Sequence, residues 1–106
     1  MRIFSGMQPT NQLHIGNYLG ALKNWVELQK ENECIFCVVD LHSLTVPFDP
    51  KTLKGKINET VAAYIAMGID PEKSVIFVQS QIKEHAELAW LLNTICPLGE
   101  LERMTQ

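Results

Sequence analysis

Short, almost wholly apolar runs alternate along this chain with longer segments of helical periodicity. The runs begin at Ile3, Cys34 and Val75, and each has the length of a buried strand. Between and after them, apolar side chains recur every three to four residues over about 15–30, 50–67 and 84–95, which predicts helices. This alternation indicates an α/β fold with a parallel sheet and helices on both faces. The expected class is the Rossmann-like β-α-β-α-β-α arrangement with right-handed crossovers.

Local signals mark the ends of the predicted helices. Asp49-Pro50 is typical of a helix N-cap followed by proline at the first helical position, and Gly68 marks the end of that helix. Pro97 ends the third helix, and a further turn and helix are expected after it. His85, at the start of the third helix, is expected at the surface. The apolar stripe of the third helix is expected to face inward, and it consists of Leu88, Leu91, Leu92 and Ile95.

The composition argues against several classes of function. The 106 residues carry a net charge of −3, so a basic nucleic-acid-binding face is not expected within this segment. No apolar run approaches the ~20 residues needed to cross a bilayer. Nor does an apolar leader precede the first strand. We therefore expect a cytoplasmic protein without a membrane partner, built as one compact domain or as part of a larger one.

Cys34 and Cys37 form a C-x-x-C pattern, which in other settings binds a metal or does redox chemistry. Here the pattern lies inside an apolar run that is predicted to be a strand. Residues three apart on a strand point to opposite faces, so the two thiols cannot share a metal ion. A second C-x-x-C, which would complete a tetrahedral site, is missing from the sequence. We expect buried structural thiols and no metal site.

Polar residues follow the first two predicted strands, where ligands bind in parallel α/β sheets. The first such loop ends at His14-Ile15-Gly16-Asn17, where the first helix begins. His14 and Asn17 lie three apart and so share one face of the first turn. The N–H groups of a helix N-terminus favour a phosphate, and Gly16 would let the backbone approach it closely. The pattern predicts a phosphate site with His14 and Asn17 as donors.

Structural alternatives remain open for each candidate. His14 could be merely exposed to solvent beside a helix start that is capped by Asn11 and Gln12. His42, in the loop after the second strand, could be a hydrogen-bonded structural residue. Asp40 could orient His42 or a substrate group, or it could simply cap its turn.

Four segments of the chain resemble the class I aminoacyl-tRNA synthetase family, and in particular its tryptophanyl members. Residues 9–18 are similar to the HIGH-type signature over its length, and residues 4–9 with 16–22 are similar to the tryptophanyl version of this region. Tyrosyl members typically have aspartate-proline where this chain has Gln8-Pro9, and HIGH where it has His14-Ile15-Gly16-Asn17. Residues 38–45 and 99–106 are also similar to tryptophanyl segments, and in the same order. The resemblance covers the whole chain.

The resemblance implies a tryptophan–tRNA ligase. Such an enzyme uses ATP, accompanied by Mg²⁺, to convert L-tryptophan into tryptophanyl-adenylate, and then transfers the tryptophanyl group to tRNA(Trp). The resemblance further implies a homodimer. Residues 1–106 would be the N-terminal half of the nucleotide-binding catalytic domain, and the lysine-bearing KMSKS signature and the anticodon-binding domain would lie further along. The segment alone is expected to be inactive.

The resemblance also assigns residues to the site. The positions implied to bind ATP are Gln8, Pro9, Thr10, Gly16 and Asn17, and those implied to line the tryptophan pocket are Phe4, Gly6 and His42. Asn17 and His14 are the implied catalytic residues, although tryptophanyl members often have threonine at the position of His14. Asn11 stands where the family usually has glycine. We therefore expect a positive φ at Asn11, because asparagine adopts that conformation more readily than most residues.

Two other functions remain as alternatives. A nucleotidylyltransferase also uses an H-x-G-H turn after its first strand, but here Asn17 replaces the second histidine. A catalytically silent nucleotide-binding module would fit a chain in which no KMSKS-like loop is found.

Overall fold

Three parallel strands form the centre of the computed structural model, which describes residues 1–9 and 14–104. The strands are β1 (Arg2–Met7), β2 (Glu33–Val38) and β3 (Ser74–Val78), and their order in the sheet is β1-β2-β3. Both pairings are parallel. The predicted α/β, Rossmann-like fold class is therefore confirmed. Thr10 and Asn11 lie outside the described residues, and so the positive φ expected at Asn11 stays a prediction.

Helices connect the strands and follow the last one. The first connection is α1 (residues 15–28), and the second is α2 (Pro50–Ala66); after β3 come α3 (Glu84–Ile95) and α4 (Leu98–Arg103). Within α1, the turn Tyr18–Leu22 is wound as a π-helix, in which the Lys23 amide donates to the Tyr18 carbonyl five residues back. None of the helices described is long and apolar enough to cross a membrane.

The predicted ends of α2 are confirmed. Asp49 Oδ1 accepts a hydrogen bond of 2.9 Å from the Lys51 amide, and Pro50 occupies the first helical position. Gly68, just after the helix, has a φ of 108°, a conformation that side chains with a Cβ rarely adopt. These local features determine where α2, the helix that connects β2 to β3, begins and ends.

One face of the sheet is packed against α1 and α2. Trp25 of α1 stacks on Phe36 of β2 with ring centroids 4.8 Å apart. Tyr64 of α2 meets the same indole edge-on at 5.3 Å, and its hydroxyl donates to the Cys37 carbonyl at 3.2 Å. These aromatic contacts join both connecting helices to the central strand.

The opposite face of the sheet is more open, and it shows that the inward-facing prediction for α3 is wrong. Phe4 is 59% exposed there and Val75 is 55% exposed. The α3 helix touches this face through its first turn, where the His85 ring stacks on Phe77 at 5.7 Å. His85 is half-buried as a result, and so the expectation of a surface residue is also wrong. The apolar stripe is instead exposed, at Leu88, Leu91, Leu92 and Ile95.

Cys34 and Cys37 are buried free thiols, as predicted from the strand pattern. Burial raises the pKa of Cys37 from 9.0 to about 11, and the charge of Asp40 acts in the same direction. A folded-state pKa above the unfolded value means that the fold favours the neutral thiol. The associated stability is therefore complete below about pH 9 and is lost as the pH rises towards 11.

Replacing Cys37 by alanine is expected to reduce the alkaline loss of stability. The melting temperature of the unsubstituted protein should fall between about pH 9 and about pH 11, because the unfolded chain ionises this thiol more easily. Cys37→Ala should melt at a lower temperature at neutral pH, since it leaves a small cavity, but should show a shallower alkaline decline. Cys96→Ala is the matched control. An unchanged alkaline decline in Cys37→Ala would contradict the raised pKa.

Candidate functional site

Side-chain hydrogen bonds join the loops at the carboxyl ends of the three strands. Gln8, after β1, donates from Nε2 to the His42 carbonyl oxygen at 2.7 Å. His42 lies after β2, and its ring nitrogen Nδ1 is 3.3 Å from Oε1 of Gln79, which follows β3. Ligands of open parallel sheets bind at this edge, so the three loops form one polar rim where a ligand is expected.

Two further contacts fix the loop after β2, a 3₁₀ turn over Asp40–Thr45. The Thr45 hydroxyl donates to the His42 carbonyl at 2.7 Å, so that this oxygen accepts two hydrogen bonds. Buried Asp40 accepts at Oδ1 from the Ser80 amide at 2.9 Å. The structure thus shows a role for Asp40 that differs from those left open by the sequence: its carboxylate ties the second loop to the third. His42 is hydrogen-bonded and also lines a cavity.

The start of α1 is capped by His14. Its ring Nδ1 accepts from the Gly16 amide at 3.1 Å, and its own amide donates to Asn17 Oδ1 at 3.0 Å. Each of the two side chains therefore accepts a hydrogen bond from a backbone amide at the start of the helix, which is a reciprocal capping arrangement. Because Asn17 uses its amide oxygen for the cap, its NH₂ group is the part that can donate to an anion. His14 is exposed but held in place, which differs from a histidine that is merely solvated.

Gly16 is needed for this cap. A Cβ at residue 16 would lie 2.9 Å from both Nδ1 and Cε1 of His14, closer than real Cβ contacts. Any side chain there would push the imidazole away from the helix start. The sequence predicted close approach of a ligand at Gly16, and the structure shows close approach of the capping ring.

Phe4 and Gly6 lie on the same face of the sheet, the more open one. The Phe4 and Phe77 rings lie 6.2 Å apart across the sheet. Gln8 continues the alternation of β1 and reaches His42, so Phe4, Gly6 and His42 follow one another towards the carboxyl edge. Pro9, the next residue, is fully buried. Thr10, the remaining predicted ATP contact, lies outside the described residues.

Alanine at residue 6 is expected to lower the free energy of unfolding by about 1–3 kcal/mol. Its Cβ would meet the Cys37 carbonyl oxygen at 2.8 Å and a Val39 methyl at 2.9 Å, so the neighbouring strand must shift. Gly55→Ala is a matched control, because nothing lies within 4 Å of a Cβ at that position in α2. The control should be stabilised by up to about 1 kcal/mol. Urea unfolding measures both, and equal stability of the two variants would contradict this prediction.

Two cavities border these residues. One, of about 480 Å³, lies between the Asp40–Thr45 turn and α3, and its walls include His42, Gln79 and His85. The other, of about 380 Å³, is lined by His14, Ile15, Tyr18, Leu22 and Met67. Largely apolar walls with a few polar groups are typical of small-molecule sites. Within residues 1–9 and 14–104, no three His, Cys, Asp or Glu side chains group closely enough to hold a metal ion.

Phe77 and Gln79 were missed by the sequence analysis. Phe77 stands within an apolar strand, where nothing distinguishes it from a core residue. A signal for Gln79 existed, because it directly follows β3 at the same edge as Asp40 and His42. The contact between Gln79 and His42 depends on how the strands pair, which the sequence pattern alone does not predict.

The parallel sheet, its polar carboxyl rim and the capped helix start are features that this α/β protein shares with nucleotide-binding proteins. The sequence profile of the family described as "tRNA synthetases class I (W and Y)" matches residues 1–106. The chain therefore belongs to this family, and the resemblance drawn from its motifs is confirmed.

Individual relatives agree with this family. The tryptophan–tRNA ligase of Brucella suis is 57% identical over 104 residues, which cover 98% of this chain and 29% of the relative. That of Helicobacter pylori is 55% identical over 105 residues, which cover 99% of this chain and 32% of the relative. The chain thus spans about a third of the length of the curated relatives it matches.

Solved structures give the same result. The tryptophanyl-tRNA synthetase of Campylobacter jejuni complexed with ADP and tryptophan is 42% identical, with a TM-score of 0.89, over 97% of this chain and 32% of the other. The enzyme of Mycoplasma pneumoniae is 41% identical, with a TM-score of 0.91, over 99% of this chain and 31% of the other.

Proposed function

We propose that this chain is the N-terminal part of a tryptophan–tRNA ligase, which activates L-tryptophan with ATP and transfers it to tRNA(Trp). The observation that carries the proposal is the high identity to tryptophan–tRNA ligases along almost the entire chain. The local geometry supports it, because His14 and Asn17 lie at a helix N-terminus beside the polar rim. Residues 1–106 form the first half of the catalytic domain in this proposal.

The start of α1 binds the phosphates of ATP in this proposal. Activation joins a tryptophan carboxylate oxygen to the α-phosphorus and breaks the bond from that phosphorus to the α,β-bridging oxygen, so that pyrophosphate leaves with this oxygen. Asn17 and His14 donate hydrogen bonds where negative charge increases, and the helix N-terminus adds a favourable field. Gln8, Pro9, Thr10 and Gly16 complete the ATP site. Mg²⁺ arrives with the ATP phosphates, in keeping with its preference for phosphate and water ligands.

Tryptophan occupies the more open face of the sheet near its carboxyl edge. The exposed ring of Phe4 offers a flat wall for the indole, and Gly6 forms a floor without a side chain beside it. His42 closes this row of residues at the polar rim. Catalysis then rests on positioning and on charge stabilisation, and no covalent enzyme intermediate is involved.

The remaining parts of the activity belong to a longer, cytoplasmic protein that acts as a homodimer. The coverage of about a third of each relative supports the longer protein. The exposed apolar stripe of α3 and the exposed Trp90 support burial of this helix by other parts of the enzyme or by its second copy. Contacts with tRNA(Trp) come from those other parts, because the present segment has a negative net charge.

ATP–pyrophosphate exchange by the intact protein tests the proposed function. We expect exchange that depends on tryptophan, with tyrosine as the matched competitor substrate that gives little. Exchange that depends instead on a phosphorylated small molecule would favour a nucleotidylyltransferase. Binding of ATP without any exchange would favour a catalytically silent module.

A further inference from the structure

We infer that Gln79 is a positioning residue that fixes the tautomer of His42 and so makes the free ring nitrogen of His42 a hydrogen-bond acceptor. This inference rests on the proposed function, in which His42 belongs to the tryptophan site. Gln79 lies outside the residues that the motifs assigned to either substrate.

The contact itself determines which nitrogen carries the proton. Nδ1 of His42 is 3.3 Å from Oε1 of Gln79, and an amide oxygen can only accept a hydrogen bond. A neutral imidazole carries its proton on one ring nitrogen, and the other ring nitrogen is a hydrogen-bond acceptor. With its proton on Nδ1, His42 presents an unprotonated Nε2.

Contacts outside the pair hold the two side chains opposite each other. The His42 carbonyl is held by donors from Gln8 and Thr45, each at 2.7 Å. The turn that carries Gln79 is held by the bond from the Ser80 amide to Asp40. The main chain is therefore fixed at both His42 and Gln79 before a ligand binds. The side-chain amide of Gln79 then has only to select the orientation of the His42 ring.

The consequence is a preference in ligand chemistry. His42 and Gln79 both line the cavity of about 480 Å³. An Nε2 acceptor there takes an N–H donor, such as those of tryptophan, and cannot pair with a carbonyl or a carboxylate oxygen. A ring that is already oriented also loses less freedom on binding, so the effect belongs to binding of the amino acid rather than to the phosphoryl step.

The first arm of the test reads the tautomer directly, in the intact enzyme labelled with ¹⁵N-histidine. The proton–nitrogen correlation spectrum of the His42 ring is expected to show a proton on Nδ1. In Gln79→Met, which keeps the length but removes the acceptor, we expect a mixture of tautomers. Gln81→Met, an exposed substitution in the same turn, should leave the spectrum unchanged. A wild-type ring protonated on Nε2, or no change in Gln79→Met, would overturn the inference whatever the substrate is.

The second arm is kinetic. Gln79→Met should raise the KM for tryptophan about tenfold, the equivalent of one oriented hydrogen bond, and should leave kcat and the KM for ATP within about twofold. Gln81→Met should change none of these. An equal loss of kcat would indicate a general structural defect and would also overturn the inference. Absence of tryptophan-dependent exchange in the unsubstituted enzyme would instead refute the proposed function, and the spectrum would still report on the tautomer.

Discussion

Gln29→Leu is expected to lower the free energy of unfolding by about 3–5 kcal/mol, which is a large effect for one polar side chain. Gln29 stands at the end of α1, is 8% exposed, and joins three segments of the chain. Its Nε2 donates to the Gly68 carbonyl at 2.7 Å, just after α2. Its Oε1 accepts from the Asp70 amide at 2.9 Å, in the turn between α2 and β3, and from the Ser74 hydroxyl at 3.2 Å, at the start of β3.

The expected loss is large because leucine leaves all three partners without a hydrogen bond. An unsatisfied buried polar group costs about 1–3 kcal/mol, and the contacts of Gln29 are buried or partly buried. Leucine restores some apolar packing, which keeps the total below the sum of three such costs. Gln29 thus adds side-chain hydrogen bonds to the Gly68 carbonyl and the Asp70 amide, beside the backbone hydrogen bonds that these turns already make.

Thermal and urea unfolding of the intact protein measure this effect. Ser74→Ala removes one of the three contacts and should lower the free energy of unfolding by about 1 kcal/mol. This variant therefore still tests the role of Gln29 if Gln29→Leu fails to fold. Gln81→Leu, at an exposed position, is the matched control and should be nearly neutral. A Gln29→Leu variant as stable as this control would contradict the role assigned to Gln29.

Asn17→Ala is expected to lower kcat for adenylate formation by about 10²–10³-fold, and to raise the KM for tryptophan far less. The reason is that an amide donor aimed at developing negative charge contributes mainly in the transition state. The substitution also removes the oxygen that accepts from the His14 amide, so a loss of about 1 kcal/mol of stability should accompany it.

Asn17→Asp separates the two roles of this side chain. Aspartate keeps an oxygen for the His14 amide but has no NH₂ group, and its charge repels phosphate. We expect Asn17→Asp to retain the cap and the melting temperature and still to lose turnover in the exchange assay. Asn24→Asp, on the exposed side of the same helical segment, controls for the added charge. Recovery of turnover in Asn17→Asp would mean that Asn17 acts only as a cap.

The order of the elements and the ends of α2 could be predicted because they depend on neighbouring residues. Asp49 and Pro50 start a helix through contacts within one turn, and Gly68 ends it through its own backbone freedom. The pairing of His14 with Asn17 on one face was accessible for the same reason, since the two residues are three apart. The capping of the helix by His14 itself was not foreseen, because histidine is an uncommon cap.

The exposure of α3 could not be predicted from its periodicity. A stripe such as Leu88 and Leu92 shows that one face of the helix is apolar, but it does not show which element covers that face. In the described residues this helix meets the sheet at His85, and most of its apolar stripe remains exposed. The error therefore concerns the packing partner and not the secondary structure.

The sequence by itself determined the strand and helix order, the parallel sheet, the Asp49 cap of α2 and the family, because each depends on local patterns or on motifs. Only the tertiary structure decided which polar side chains meet. Gln8 and His42 are 34 positions apart, His42 and Gln79 are 37 apart, and Gln29 and Ser74 are 45 apart. Such pairs form when strand pairing brings distant loops to one edge, and the geometry of a hydrogen bond is set by positions within a few tenths of an ångström, which a sequence pattern does not encode.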